Sequence, residues 1–217
     1  MFDLPSGKFE AFIFDCDGTL ADSMPVHFRA WTEAFREAHP EIDFPEDFFY
    51  SLGGTPTAEV ARINLDRFPG LTTMAPVELA RRKENLFLQK LAAVRPVEPV
   101  VEFARRVKAE GKPVAVASGG DVAVVEATLG YLGLAGFFPV IVTPRDVARG
   151  KPAPDMFLLA AEKLGVAPER CLVFEDAPPG IEAARAAGMS WVWVRSRKAG
   201  DGPESRTFMI DVEGLGC

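Results

Sequence analysis

Short apolar runs of β-type composition alternate along this chain with longer stretches in which apolar residues recur at helical spacing. Phe9 to Phe14, Pro113 to Ala117, Val140-Ile141-Val142 and Cys171-Leu172-Val173-Phe174 read as buried strands. Val100 to Glu110, Val122 to Leu132, Met156 to Leu164 and Gly180 to Ala187 read as the helices between them. This alternation predicts an α/β fold, a parallel sheet core with helices on both faces. In such sheets ligands sit in the crevice beyond the carboxyl ends of the strands.

From about Ser23 to Val94 the alternation stops. Helical patterns occur at Val26 to Ala38, Thr57 to Phe68 and Val77 to Ala93, with no convincing β-run among them. His39-Pro40, Gly53-Gly54, Pro56 and Pro69-Gly70 break the pattern. The expected domains are a core of residues 1–22 and 95–217 and an inserted small helical cap of residues 23–94. Pro25, Pro96 and Pro99 read as stiffeners of the two crossing segments. The insert is either a helical layer fixed on the sheet or a moving cap; a moving cap is expected, since closure of such a layer excludes water from a site beneath it.

Composition narrows the function classes. Hydrophobic residues make up 48% of 217, enough for a sizeable core. A net charge of −7 offers no electrostatic footprint for nucleic acid or an anionic membrane. No run approaches the ~18 apolar residues of a membrane span, and no charged-then-apolar signal pattern opens the chain. A cytoplasmic location is expected, with the oligomeric state left open and a monomer compatible. Cys16, Cys171 and Cys217 have no metal-ligand spacing, and Cys16 reads as a small buried side chain. The tail from Arg197 to Cys217 carries one apolar patch, Phe208-Met209-Ile210, expected to fray or to lie along an edge.

The chemistry collects where strands end. Asp15-Cys16-Asp17-Gly18-Thr19 follows the first run, and period-two geometry puts Asp15 and Asp17 on one side. Gly18 signals the turn, with Thr19 free to hydrogen-bond nearby. Carboxylates this close repel unless a cation lies between them or one keeps its proton. That setting suits a metal-assisted enzyme with one nucleophilic and one proton-handling aspartate; the plain alternative is an acidic surface turn. Ser118-Gly119-Gly120 and Glu175-Asp176 end two further strands, and Lys151-Pro152 lies in the loop after another.

Asp15-x-Asp17-Gly18-Thr19, Ser118, Lys151-Pro152 and Glu175-Asp176 together resemble the four motifs of the haloacid dehalogenase superfamily, most of whose members are phosphatases. Asp22-Ser23, His27-Phe28-Arg29-Ala30-Trp31 and Gly150 to Asp155 resemble its β-phosphoglucomutase-like branch, and Leu52 to Thr57 the fructose-1-phosphatase-like sugar phosphatases within it. The resemblance implies a Rossmann-like core and a Mg²⁺-dependent phosphatase acting on a small phosphorylated metabolite, a sugar phosphate, through an aspartyl-phosphate. The alternatives are a β-phosphoglucomutase and a non-enzymatic phospho-accepting switch. A mutase must grip a second phosphate in the cap. Gly53 and Thr57 stand where basic residues are expected for that, with backbone amides, Lys83 or Arg62 left to compensate.

The implied roles follow from charge. Asp15, Glu175 and Asp176 bring three negative charges into one crevice, and each like pair at ~4 Å costs about 4 kcal/mol at an effective dielectric near 20. One Mg²⁺ and Lys151 supply three positive charges. The expected metal ligands are Asp15, the Asp17 main-chain carbonyl and Asp176, with Glu175 direct or water-bridged. Asp15 is the expected nucleophile, ionised without help. Asp17 is the expected general acid and then base, holding a proton at neutral pH because carboxylates surround it. Ser118 and the Gly119 amide would bind phosphate oxygens, and Lys151 would neutralise charge. Each has a plainer alternative: Ser118 a helix cap, Lys151 a surface lysine, Glu175-Asp176 the acidic start of a helix. His27 and Lys83 are either substrate contacts or exposed polar positions. Phe28, Trp31 and Phe35, at helical spacing, read as cap core.

Overall fold

The computed structural model describes residues 9–195. The tail and its patch Phe208-Met209-Ile210, and Cys217, lie outside the described residues. In chain order the elements are β1 (Ala11–Phe14), β2 (Ala21–Asp22), α1 (Met24–Ala38), α2 (Glu46–Ser51), α3 (Thr57–Leu65) and α4 (Pro76–Gln89). Then come β3 (Arg95–Pro96), α5 (Glu98–Ala109), β4 (Val114–Ala117), α6 (Val122–Tyr131), β5 (Val140–Val142), α7 (Asp155–Leu164), β6 (Cys171–Glu175), α8 (Pro178–Ala186) and β7 (Ser190–Trp193).

Five strands form one sheet in the order β5-β4-β1-β6-β7, every pairing parallel. The period-two alternation within each strand separates two cores. Phe12, Phe14, Val114, Val116, Leu172 and Phe174 face α5 and α6. Ala11, Ile13, Ala115, Ala117, Cys171 and Val173 face α7 and α8. The first face is filled by aromatic rings, with Phe14 stacked on Phe174 at 4.9 Å and Phe103 reaching both. The second is lined by small residues, which lets α7 and α8 lie close to the strands. From β1 the chain crosses to β4 on one side, while β6 continues to β7 on the other. The crevice at the carboxyl ends of β1 and β6 is therefore a topological switch point.

Residues 24–94 contribute no strand to this sheet. Their four α-helices pack around Val26, Trp31, Phe35, Phe44, Leu79 and Phe87, as the apolar spacing predicts. Phe28 packs at the edge of that cluster. Val124 of α6 belongs to the same cluster, so the helical layer rests on the loop beyond β4. The two chain crossings pair as a short antiparallel ladder, Ala21 with Pro96 and Asp22 with Arg95. Pro25 and Pro99 occupy first-turn positions of α1 and α5 rather than linkers, where the missing N–H would have no helical partner anyway. Four elements escaped the sequence pattern: the two-residue strands β2 and β3, α2, six residues long, and β7. No helix among the described residues is long and apolar enough to cross a membrane.

Candidate active site

Backbone pairing carries each functional loop out of the sheet in a fixed direction. The Asp15 N–H donates to the Phe174 carbonyl at 2.9 Å, one residue beyond β1. The Ser118 N–H donates to the Val142 carbonyl at 3.0 Å, one residue beyond β4. Asp15, Ser118 and Glu175 thus leave neighbouring strand ends and meet at one cavity, joined there by Lys151 from the β5–α7 loop. The cavity measures about 140 Å³ and lies between the strand ends and the helical layer. The candidate catalytic, phosphate-binding and metal-binding residues line it: Asp15, Asp17, His27, Lys83, Ser118 and Gly119, with Lys151, Glu175 and Asp176.

Lys151 is a bridge. Its Nζ donates to Asp15 Oδ1 at 2.7 Å and to Glu175 Oε2 at 2.6 Å, with all three side chains buried. The other Glu175 oxygen accepts from the Asp176 and Ala177 N–H groups at 3.1 and 3.0 Å, which also serves the start of α8. Burial pushes Asp15 well above the usual carboxylate range, and Glu175 adds to this while Lys151 opposes it. Two buried carboxylates side by side favour positive charge nearby, and Lys151 supplies one such charge. Lys151 is itself raised by Asp15 and Glu175, whose attraction outweighs burial.

Oxygens of Asp15, Glu175 and Asp176 lie within 4.8 Å of one another. Hard oxygen donors with a net negative charge fit a small divalent cation. Two glycines make room for the cluster. Gly18 has φ +86°, and a Cβ there would overlap the Asp176 carboxylate; a Cβ on Gly180 would overlap that of Glu175.

Asp17 faces a different set of groups. Ser23 Oγ donates to Asp17 Oδ1 at 2.6 Å, and His27 Nε2 lies 3.0 Å from the same oxygen. His27 Nδ1 lies 2.9 Å from Lys83 Nζ. Lys83 has hydrogens to donate, so Nδ1 accepts and Nε2–H donates to Asp17. The imidazole stacks flat on Phe87 at 3.8 Å, and burial with the neighbouring Lys83 holds its pKa below the ordinary value. Burial likewise lowers Lys83 to about 8. Burial acts to raise Asp17, but His27, Ser23 and Lys83 overcome it and hold the carboxyl at about 2.

The expectation that Asp17 keeps a proton is therefore corrected for this arrangement. The sequence reading weighed only the neighbouring carboxylates, while the groups that dominate come from α1 and α4. His27 and Lys83 are likewise not exposed polar positions: each is 6–7% exposed. Ser23 was quoted in the sequence without a role, although its place at the turn into α1 is what lets it reach Asp17.

Ser118 does not cap α6; Asp121 does, accepting from the Ala123 N–H at 3.0 Å, while Ser118 Oγ accepts from Gly120 N–H. Thr19, expected to hydrogen-bond in the turn, is buried without a hydroxyl partner among the described residues. Cys16 is buried beneath the loop, its thiol pushed up by burial and by the two aspartates. Arg62 is not available to the cavity, because Glu59 and Asp66 on its own helix hold it. Asp155 opens α7 and pairs with Arg149, as its place after Pro154 predicts.

Sheet and site together define a doubly wound parallel α/β protein whose acidic centre lies at the carboxyl ends of the strands. The family model for haloacid dehalogenase-like hydrolases matches residues 9–188, and the chain belongs to that family. It is an enzyme of the phosphatase kind. It is similar to the fructose-1-phosphate phosphatase YqaB of Escherichia coli, with 39% identity over 189 residues, 87% of this chain and 97% of that one. CbbY from Rhodobacter sphaeroides, in a variant crystallised with xylulose-(1,5)bisphosphate, superimposes with a TM-score of 0.76 at 25% identity, covering 90% of this chain and 92% of the other. β-Phosphoglucomutase from Clostridium difficile gives 0.73 at 27%, covering 86% and 84%.

Proposed function

We propose that the chain is a Mg²⁺-dependent sugar phosphate phosphatase that works through an aspartyl-phosphate formed on Asp15. The observation that carries this reading is the Asp15 carboxylate, buried at the tip of the central strand and held by Lys151 within a three-carboxylate cluster. Asp15 and Asp176 with the Asp17 main-chain carbonyl would hold the ion, and Glu175, both of whose oxygens already accept hydrogen bonds, would reach it through water. When bound, Mg²⁺ supplies positive charge to the phosphate and to the Asp15 carboxylate.

Lys151 fixes Asp15 Oδ1, leaving Oδ2 to attack phosphorus, and its charge offsets that of the phosphate oxygens. The Ser118 hydroxyl and Gly119 N–H, at the open end of the β4 loop, bind the remaining oxygens. Asp17 begins as an ionised carboxylate on Ser23 and His27. A phosphate ester arriving nearby raises its proton affinity, so it takes up a proton from solvent water as substrate binds and passes that proton to the leaving alkoxide. In the second half it takes a proton from the water that attacks the phosphorylated Asp15. His27 and Lys83 hold Asp17 in place and carry its charge. Residues 23–94 act as a cap that closes over a core of residues 1–22 and 95–217, excluding bulk water from the reaction.

A relative named as a fructose-1-phosphate phosphatase supports the sugar phosphate class. A mutase would need a second phosphate grip, which Gly53, Thr57 and the engaged Arg62 do not offer. The test is phosphate release from a panel of hexose, pentose and polyol phosphates with Mg²⁺, run beside β-glucose 1-phosphate with α-glucose 1,6-bisphosphate. Free phosphate is the expected product. Glucose 6-phosphate forming faster than phosphate would overturn the reading.

A further inference from the structure

The cavity carries a second pair of carboxyl groups besides those of the acidic centre, Glu84 and Asp121. One residue past Lys83, α4 turns Glu84 into the cavity, partly buried and hydrogen-bonded by the Thr57 side chain. Asp121 lines the same cavity close enough to act on the Glu84 charge, and its oxygens are already used. Oδ1 caps α6, and Oδ2 accepts from the exposed Arg145 at 2.6 Å. Burial raises the Glu84 carboxyl most, and Asp121 raises it further, while Lys83, Arg145 and Thr57 pull it down. That position is already an unfavourable place for one negative charge.

The charges lining the cavity show how unbalanced it is. Asp15, Asp17, Glu84, Asp121, Glu175 and Asp176 are acidic, whereas among the described residues Lys83 and Lys151 are the only lysines and no arginine lines it. Both lysines are engaged, Lys151 by Asp15 and Glu175 and Lys83 by His27. A divalent cation at the acidic centre adds charge there and none at Glu84. The cavity also has an apolar part of its lining, including Trp31, Phe49 and Leu52. CbbY, crystallised with a sugar bisphosphate, has a similar fold, so the fold by itself does not exclude a second phosphate.

We propose that Glu84 is a charge filter, selecting phosphate monoesters whose remainder is uncharged and hydroxylated and rejecting those with a second phosphate or a carboxylate. This rests on the phosphatase reading and adds a specificity determinant to it. A carboxylate accepts hydrogen bonds and cannot donate them, so sugar hydroxyls satisfy it while a second anion meets only repulsion. Thr57 holds the carboxylate in one orientation by donating to it.

The experiment compares kcat/KM for fructose 1-phosphate and fructose 1,6-bisphosphate with Mg²⁺, in the parent and in Glu84→Gln and Glu84→Ala. The parent should prefer the monophosphate. Both variants should shift the ratio toward the bisphosphate by roughly tenfold or more, mainly through KM. Raising ionic strength should narrow the parent's preference more than that of Glu84→Gln. A parent that favours the bisphosphate, or a ratio unmoved in both variants, overturns the filter. Hydrolysis of p-nitrophenyl phosphate, which has no second anion, reports the phosphatase reading separately. Its absence overturns that reading and the filter with it, while its presence with an unmoved ratio overturns the filter alone.

Discussion

Asp15 and Asp17 stand two positions apart, and the electrostatics around them have opposite signs. Asp15 is raised by burial and Glu175, whereas Asp17 is held at about 2 by His27, Ser23 and Lys83 against the effect of burial. Their replacements should therefore fail differently. Asp15→Asn removes the attacking oxygen and should lower phosphate release by roughly 10³-fold or more with the far-UV circular dichroism unchanged. Near-parental release from that folded variant would rule Asp15 out as nucleophile. Asp17→Asn keeps the backbone carbonyl and should cost about 10²–10⁴-fold on a sugar phosphate. With p-nitrophenyl phosphate, whose leaving group needs little protonation, a rapid-mix burst should precede slow turnover; equal small losses in every step would make Asp17 merely structural. Lys83 offers a pH test. Its folded pKa of about 8 lies below the ordinary 10.5, so between those values the unfolded chain binds the extra proton. Stability from this group is lowest below pH 8 and rises toward pH 10.5. The urea midpoint of the parent minus that of Lys83→Met should climb across that window, and a flat difference would contradict the buried position.

At the scale of elements, the turn after β1 is where backbone conformation and carboxylate chemistry depend on each other. Gly18 sits at φ +86° with the Asp176 carboxylate where a Cβ would go. Gly18→Ala should cost roughly 1–3 kcal/mol of stability from backbone strain and displace Asp176. Thermal melts with and without Mg²⁺ check both, since the variant should melt earlier and respond less to the ion. The strands of the core were legible because each is a short apolar run ending at a functional group. The cap helices α1, α3 and α4 were legible from their spacing. By contrast, α2 is too short for a helical period to register, and β7 begins at Ser190 directly after a Gly-Met step that gives no strand signal. Pro25 and Pro99 misled for a related reason: a proline signals a break equally well in a linker and in the first turn of a helix.

Taken as a whole molecule, the chain gathers the carboxylates of Asp15, Glu175 and Asp176 at one crevice, where the proposed Mg²⁺ would balance their charge. Mg²⁺ that binds only the folded state should stabilise it by about 2.7 kcal/mol at 100 times its dissociation constant. For a chain of this length that is a rise in Tm of several degrees. Differential scanning with increasing Mg²⁺ should show it in the parent and much less in Asp176→Asn. Chelation should stop turnover, and excess Mg²⁺ should restore it. A melting temperature indifferent to Mg²⁺ in the parent would remove the ion from the acidic centre. The sequence by itself determined the α/β class and the helical insert, because hydrophobic period follows directly from the spacing of side chains along a strand or helix. Its four short motifs, through their resemblance to one family, also grouped the acidic, serine and lysine residues that line the cavity. Only the tertiary structure decided the state of each group. Burial beside Glu175 raises Asp15; His27 and Lys83, on two different helices, strip Asp17 of its proton; and Asp121 acts on Glu84 within the same cavity. A pKa depends on what lies within a few ångströms in space, and residues far apart in the chain supply most of that.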